Sequence, residues 1–345
     1  MLLRVNHETK LTYSAPVSET VFEVRMGPMS DEDQTTLGYR LRVAPTAPVT
    51  AYRDGFGNRV DLFNIPTPHR EVVVRATSFV RTHRRPGSDR LAESPWPGER
   101  PVAVEALEYL RASPLVDECP ALDDFRASFP ALTGSMADVV GRLMEAVAAR
   151  LTYEKAVTTA RTPVCEALEL GRGVCQDFVH LFLAACRGLG LAARYVSGYI
   201  NQPGELATHA WAQVWAGAAA GWVDVDPTRG VFAGDDYVVT AVGRDYFDVP
   251  PNRGLWRGRA IETIAVFVTV EPADRMPPDW YDLGPQVAWS DAGQSQYQSQ
   301  RSGNGSQSQR QGQGRGNGHG PAGMNFQGTR AVYRHQQGQQ QQTRG

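Results

Sequence analysis

Three residue types that together can move an acyl group lie within residues 173–228: Cys175, His209 and Asp226. Cys175 stands where the turn Gly171-Arg172-Gly173-Val174 meets a run with helical apolar spacing. The unpaired N–H groups and positive dipole end of a helix start favour a thiolate there. The same N–H groups can hold the oxyanion formed when that thiolate attacks an amide carbonyl. His209 opens the run HAWAQVW, and Asp226 ends WVDVD, where Pro227 stops a strand ladder. An imidazole in the first place serves as base, and a carboxylate at a strand end can orient its second nitrogen. Gln176, beside the cysteine, and Trp211, on the face of His209 by period two, are candidates for substrate contact.

Nearby residues compete for these roles. His180 is closer to Cys175 in sequence than His209 is, but five residues of helix turn it about 140° away. Cys186 returns to the cysteine's face about 16 Å along the axis, beyond disulfide reach within one helix. Asp224 shares a face with Asp226, and the terminal position ranks Asp226 first. His7, His69 and His83 each stand alone and read as packing or surface residues, and Cys119, among acidic neighbours, reads as structural.

The elements that must position the site follow from periodicity. Apolar residues Phe178, Val179, Phe182, Ala185 and Leu189 predict a buried helix over 175–189, ended by Gly188 and Gly190. Strand patterns follow at 192–200, 208–216 and 221–226, with GAAAG as the turn between the last two, and further ones at 237–242 and 261–270 are expected to complete the sheet. Helical spacing precedes the site at 102–112, 120–128 and 134–151, the last capped by Ser135. The fold class is therefore α+β. Residues 1–80 alternate apolar and polar residues in short runs, the pattern of an all-β, sandwich-like domain. Residues 81–100, rich in Arg, Pro, Gly and Ser, read as a linker. Residues 101–289 form the catalytic domain, and 290–345, rich in Gln, Gly, Ser and Arg, read as a disordered tail.

A length of 345 residues with 41% hydrophobic residues supports two ordinary domains. The net charge of -2 conceals six tail arginines against one aspartate, so the tail carries about +5 and the rest about -7. The arginines are scattered and not interleaved with aromatics, so no nucleic-acid partner is expected. No apolar run reaches membrane-spanning length, and the polar N-terminus lacks a signal-peptide pattern, so no membrane association and a cytoplasmic location are expected. The four cysteines lack ligand spacing: free thiols are expected, with no metal and no cofactor.

The runs GVCQDFVHLFLAACRGLGLAARYVSGYI and HAWAQVW followed by GWVDVDPT resemble the core of bacterial transglutaminase-like proteins, members of the papain-like thiol superfamily. RDGFGNRVDLFNI resembles the β domain that precedes this core in bacterial members. The resemblance implies that Cys175, His209 and Asp226 are nucleophile, base and orienting acid, that the substrate is a protein or peptide, and that the reaction passes through a thioester. Hydrolysis, as in a cysteine protease or amidase, and a non-catalytic scaffold are the competing readings. Animal transglutaminases carry an oxyanion tryptophan upstream of the cysteine. This chain has no tryptophan between Trp96 and Trp211, and Tyr153 is the nearest aromatic candidate.

Overall fold

Alternation along the first half of Leu2–Val24 (β1), a strand of 23 residues, turns Leu3, Val5, His7, Thr9, Leu11 and Tyr13 inward, and the buried positions change parity between Val17 and Thr20. The computed structural model describes residues 1–94, 103–129, 133–202 and 208–280. Gln34–Ala44 (β2), Val49–Arg53 (β3), Arg59–Ile65 (β4) and His69–Thr82 (β5) follow, in the sheet order β2-β5-β1-β4-β3. β5 pairs with the first half of β1 and β4 with the second, all antiparallel, and the register breaks between Thr12 and Val17. Each half thus becomes its own leaf. Leu11, Tyr13, Phe22, Phe63, Val72 and Val74 form the core they share, the sandwich-like arrangement that the alternation predicts.

The helices come next: Gly87–Ala92 (α1), Pro120–Ala127 (α2) and Met136–Arg150 (α3), then the short strand Thr152–Tyr153 (β6), Val164–Leu170 (α4), Arg172–Gly173 (β7) and Cys175–Gly188 (α5). Ser135 and Asp138 close a capping box on α3. Residues 104–110 form a 3-10 turn where the spacing predicts a longer helix. α4 escapes prediction because seven residues are too few to show a period. The strands Ala193–Ile200 (β8), Thr208–Trp215 (β9), Trp222–Asp226 (β10), Val231–Phe232 (β11) and Tyr237–Gly243 (β12) form an antiparallel sheet in the order β11-β10-β9-β8-β12. α5 lies on the face made by Ala193, Ala210, Ala212, Val214, Val223 and Val225, and its residues 176–187 are all buried.

The chain then returns to its start. Asn252–Arg257 (β13) and Glu262–Pro272 (β14) pair with the second and first halves of β1. The strand expected at 261–270 to complete the core sheet therefore belongs to the N-terminal one. Period-two alternation predicts a strand but not its neighbour, and each half of β1 had one edge still open.

The far face of the core sheet rests on the β domain. Met29 and Phe56 pack against Val196, Trp211, Tyr237 and Val242, while Leu3, Val5 and Val80 meet Tyr199 and Val238. Two buried side-chain amides dock on β12. Gln34 donates to the Val239 carbonyl at 2.9 Å and accepts its N–H at 2.8 Å, and Asn58 does the same with Val242 at 2.8 Å each way. Both amides act as a surrogate strand.

Two expectations are corrected here. The described part of the linker enters the core: Leu91 is fully buried, Arg84 pairs with Asp224, and Arg90 pairs with Asp33 while donating to the carbonyls of Ala220 and Trp222. Arginine-rich composition resembles a connector, but here the guanidinium groups of Arg84 and Arg90 have buried acceptors. Cys119 and Cys165 form a disulfide rather than free thiols. They are 46 residues apart, and packing of α2 beside α4 brings their Cα atoms to 6.2 Å, within disulfide range. The tail expected to be disordered lies outside the described residues. Among the described residues no helix is long and apolar enough to cross a membrane.

Candidate active site

Cys175 is the first residue of α5, and the chain enters that helix under tight control. β7 pairs in parallel with β6, Thr152 N–H donates to the Gly171 carbonyl, and Glu154 N–H donates to that of Gly173 at 2.8 Å. The buried Asp177 carboxylate accepts the Val174 N–H and the Thr158 hydroxyl, each at 2.7 Å, while its second oxygen has no partner among the described residues. Burial pushes this carboxyl up, against those hydrogen bonds. Gly173 is required here, since an added Cβ would lie 2.4 Å from the Asp177 oxygen. The Asp177 N–H donates to the Val174 carbonyl at 2.8 Å, while the N–H groups of Cys175 and Gln176 have no preceding turn to accept them beside the sulfur.

His209 sits on β9 opposite Gly198 of β8. Two residues on, Trp211 lies nearly parallel to the imidazole, with ring centroids 6.3 Å apart and planes at 22°. The indole occupies the space that Gly198 leaves, where a Cβ would meet it at 2.4 Å and the Val238 carbonyl at 2.2 Å. Trp211 is fully buried and donates its N–H to Asp224 at 2.6 Å. Asp224 also accepts from the Gln213 amide at 2.9 Å and pairs with buried Arg84 at 3.4 Å. Its oxygens are thus committed away from His209.

Asp226 takes the other place. Its Oδ2 lies 2.7 Å from His209 Nε2 and accepts the Tyr237 hydroxyl at 2.8 Å. Oδ1 accepts the N–H groups of Thr228 at 3.0 Å and Arg229 at 3.2 Å, the turn that follows Pro227. Arg229 in turn donates to the Tyr237 oxygen at 2.7 Å. With Nε2 committed to Asp226, Nδ1 of His209 is the nitrogen left for Cys175. Burial alone would lower the histidine's pKa. Hydrogen bonds with Asp226 and Cys175, together with the charges of both, outweigh it and raise the value to about 10. The imidazolium is therefore the form held at neutral pH.

The structure brings Cys175, His209 and Asp226 together and separates their competitors. His180 is fully buried, its Nε2 accepting the Tyr246 N–H at 3.3 Å and its ring against Tyr195. Cys186 is buried in the core. Trp211 faces the interior, so its expected substrate contact is corrected to packing beneath His209, the result of spending its N–H on Asp224. Gln176, also largely buried, donates to the Thr159 carbonyl at 3.4 Å and ties the 154–163 loop to the helix start. Tyr153 lies on β6 beside the entry turn, half exposed, with its ring near Phe178.

Sequence reasoning missed Tyr237, which starts a strand and carries no spacing signal, and Asp177, whose place two residues after the cysteine is the usable clue: an acid in the first turn of a helix.

Two family models match this chain: the bacterial transglutaminase-like N-terminal region over residues 3–81 and the transglutaminase-like superfamily over 128–227. An uncharacterised protein of Mycobacterium leprae is 30% identical over 282 residues, covering 78% of this chain and 98% of that one. Another, of Mycobacterium tuberculosis, is 33% identical over 271 residues, 73% of this chain and 86% of that one. Among solved structures, a candidate cysteine protease from Cytophaga hutchinsonii superposes with a TM-score of 0.66 at 21% identity, covering 80% of this chain and 93% of that one. That last likeness speaks to the fold. With both halves of its architecture matched, the chain belongs to the bacterial transglutaminase-like proteins, a β domain joined to a transglutaminase-like core.

Proposed function

We propose that this protein carries out cysteine-dependent acyl transfer on carboxamide or peptide carbonyls of proteins, through a thioester. The observation that carries this reading is His209, bonded through Nε2 to buried Asp226 and in contact with Cys175 on its other side. The Cys175 thiolate attacks the carbonyl carbon, and the oxyanion is held by N–H groups at the start of α5, with Tyr153 at the rim. His209 then gives its proton to the leaving nitrogen as the C–N bond breaks, leaving a thioester and ammonia or an amine. Water or an amine next gives a proton to His209 and attacks, the C–S bond breaks, and thiolate and imidazolium are restored.

Hydrolysis, the chemistry of a cysteine protease or amidase, is the second reading of the same site. It is favoured by the scarcity of amine donors in the chain itself, Lys10 and Lys155 being its only lysines. Incubation with a glutamine-containing peptide library, with and without a primary amine, separates the readings by product mass. Amine adducts mark transfer, and conversion of carboxamide to carboxylate, or cleavage, marks hydrolysis. A Cys175 no faster towards iodoacetamide near neutral pH than buried Cys186 would sink both and leave a binding scaffold.

The cytoplasmic location expected from the sequence is part of this proposal, and Cys119–Cys165 is its probe. Disulfides persist in oxidising compartments and are rare in the cytosol. Thiol labelling under denaturing conditions of protein taken directly from cells should tag all four cysteines if the location is cytosolic. Protection of Cys119 and Cys165 would place it elsewhere.

A further inference from the structure

Arginines gather on the face of the β1, β2 and β5 leaf opposite to Leu3, Val5 and Val80, which meet the core sheet. In register, Arg42 of β2 stands directly opposite Arg75 of β5, Arg40 stands opposite Thr77, and Phe79 of β5 stands opposite Arg4 of β1. Directly paired residues point to the same side of a sheet, so the four guanidinium groups share one surface. With Thr77 and Trp280 they line a hollow of about 230 Å³.

Nearby acids neutralise this charge only in part. Arg75 pairs with Glu8 at 2.5 Å, and Arg40, stacked 4.3 Å from the Trp280 ring, is 4.0 Å from Asp279. Among the described residues Arg42 makes no ion pair, and it faces Arg75 across the ladder. Like charges directly opposite destabilise a sheet. The Nε–H of Arg40, a residue that lines the hollow, is itself buried away from solvent with no hydrogen-bond partner among the described residues. A buried unpaired donor carries a desolvation cost that an acceptor would remove.

We propose that the hollow is a binding site for a small multivalent oxyanion, bridged by Arg42 and Arg75 with Arg4 and Arg40 lining the same hollow. Guanidinium forks match phosphate and carboxylate oxygens alike, so both sources share the required chemistry. The space suits a molecule of a few heavy atoms rather than a folded partner.

Calorimetric titration of the full chain with pyrophosphate and, separately, with citrate at low ionic strength tests the site. Saturable binding at one site per chain is expected with at least one probe. Pyrophosphate alone marks a phosphate ligand and citrate alone a carboxylate one. Arg42→Gln with Arg75→Gln should weaken binding at least about tenfold, as loss of charge-assisted hydrogen bonds requires, while Cys175→Ala leaves it unchanged. No saturable binding of either probe, or undiminished binding by a double variant with a native melting transition, overturns the proposal. Should the double variant fail to fold, Arg42→Gln alone, at an exposed position without an ion pair, carries the same test and the same two outcomes.

Discussion

Tyr237 and His209 meet on one carboxylate oxygen: Asp226 Oδ2 accepts the tyrosine hydroxyl at 2.8 Å and lies 2.7 Å from the imidazole. Tyr237 touches no reacting atom in the proposed reaction, so it is a positioning residue. Tyr237→Phe should lower kcat about tenfold with KM little changed, the cost of about one hydrogen bond in alignment. A drop confined to KM would refute the assignment.

Asp226→Asn should reduce turnover by roughly 10²–10⁴-fold, as loss of the orienting carboxylate does in comparable triads. Asp224→Asn should leave turnover within a few-fold and instead destabilise the fold by about 3 kcal/mol, because Arg84 loses its buried partner. Parallel rate and urea-unfolding measurements on both variants separate the two carboxylates.

The pH dependence of iodoacetamide labelling at Cys175 reports on the histidine. With the His209 pKa raised to about 10, the imidazolium persists from neutral pH to that value. Asp226→Asn removes the strongest raising contact, so the change in labelling rate governed by His209 should move towards its ordinary value of 6.5. Stability follows the same sign. The contribution of this group is complete below 6.5 and is lost as pH rises through about 10.

His180 has the opposite sign. Burial, aided by the charge of Arg187, lowers its pKa from 6.5 to about 3, so the folded protein keeps it neutral while the unfolded chain protonates it. Stability from this source is complete above 6.5 and falls as pH drops towards 3. His180→Leu should therefore flatten the acid limb of a melting-temperature profile, whatever it costs at neutral pH.

Reducing Cys119–Cys165 opens a loop of 46 residues, and chain entropy puts that loss at about 4 kcal/mol as an upper figure. Urea midpoints with and without reductant should differ in that direction. The Cys119→Ser, Cys165→Ser double variant should match the reduced protein and show no further response to reductant.

What the sequence disclosed depended on whether a residue's meaning was local. Cys175 at a helix start and His209 before an alternating run carry their positions in their neighbours, and so did the period of β1 and α5. Asp226 was separable from Asp224 only by Pro227, a local mark again. Tyr237, Arg84 and the partner of Cys119 have meaning only through contacts made far along the chain, and spacing does not encode those. The placement of β14 failed for that reason too: its alternation was legible, its partner strand was not.

Gln34 and Asn58 stand where a sixth strand of the core sheet would run. An excised core would therefore be left with a raw β12 edge, unpaired amides and carbonyls ready to zip onto another molecule. The portable unit of this architecture is then the pair of regions together, and any attempt to transplant the thiol machinery into a smaller scaffold must carry those two amides, or a replacement strand, with it.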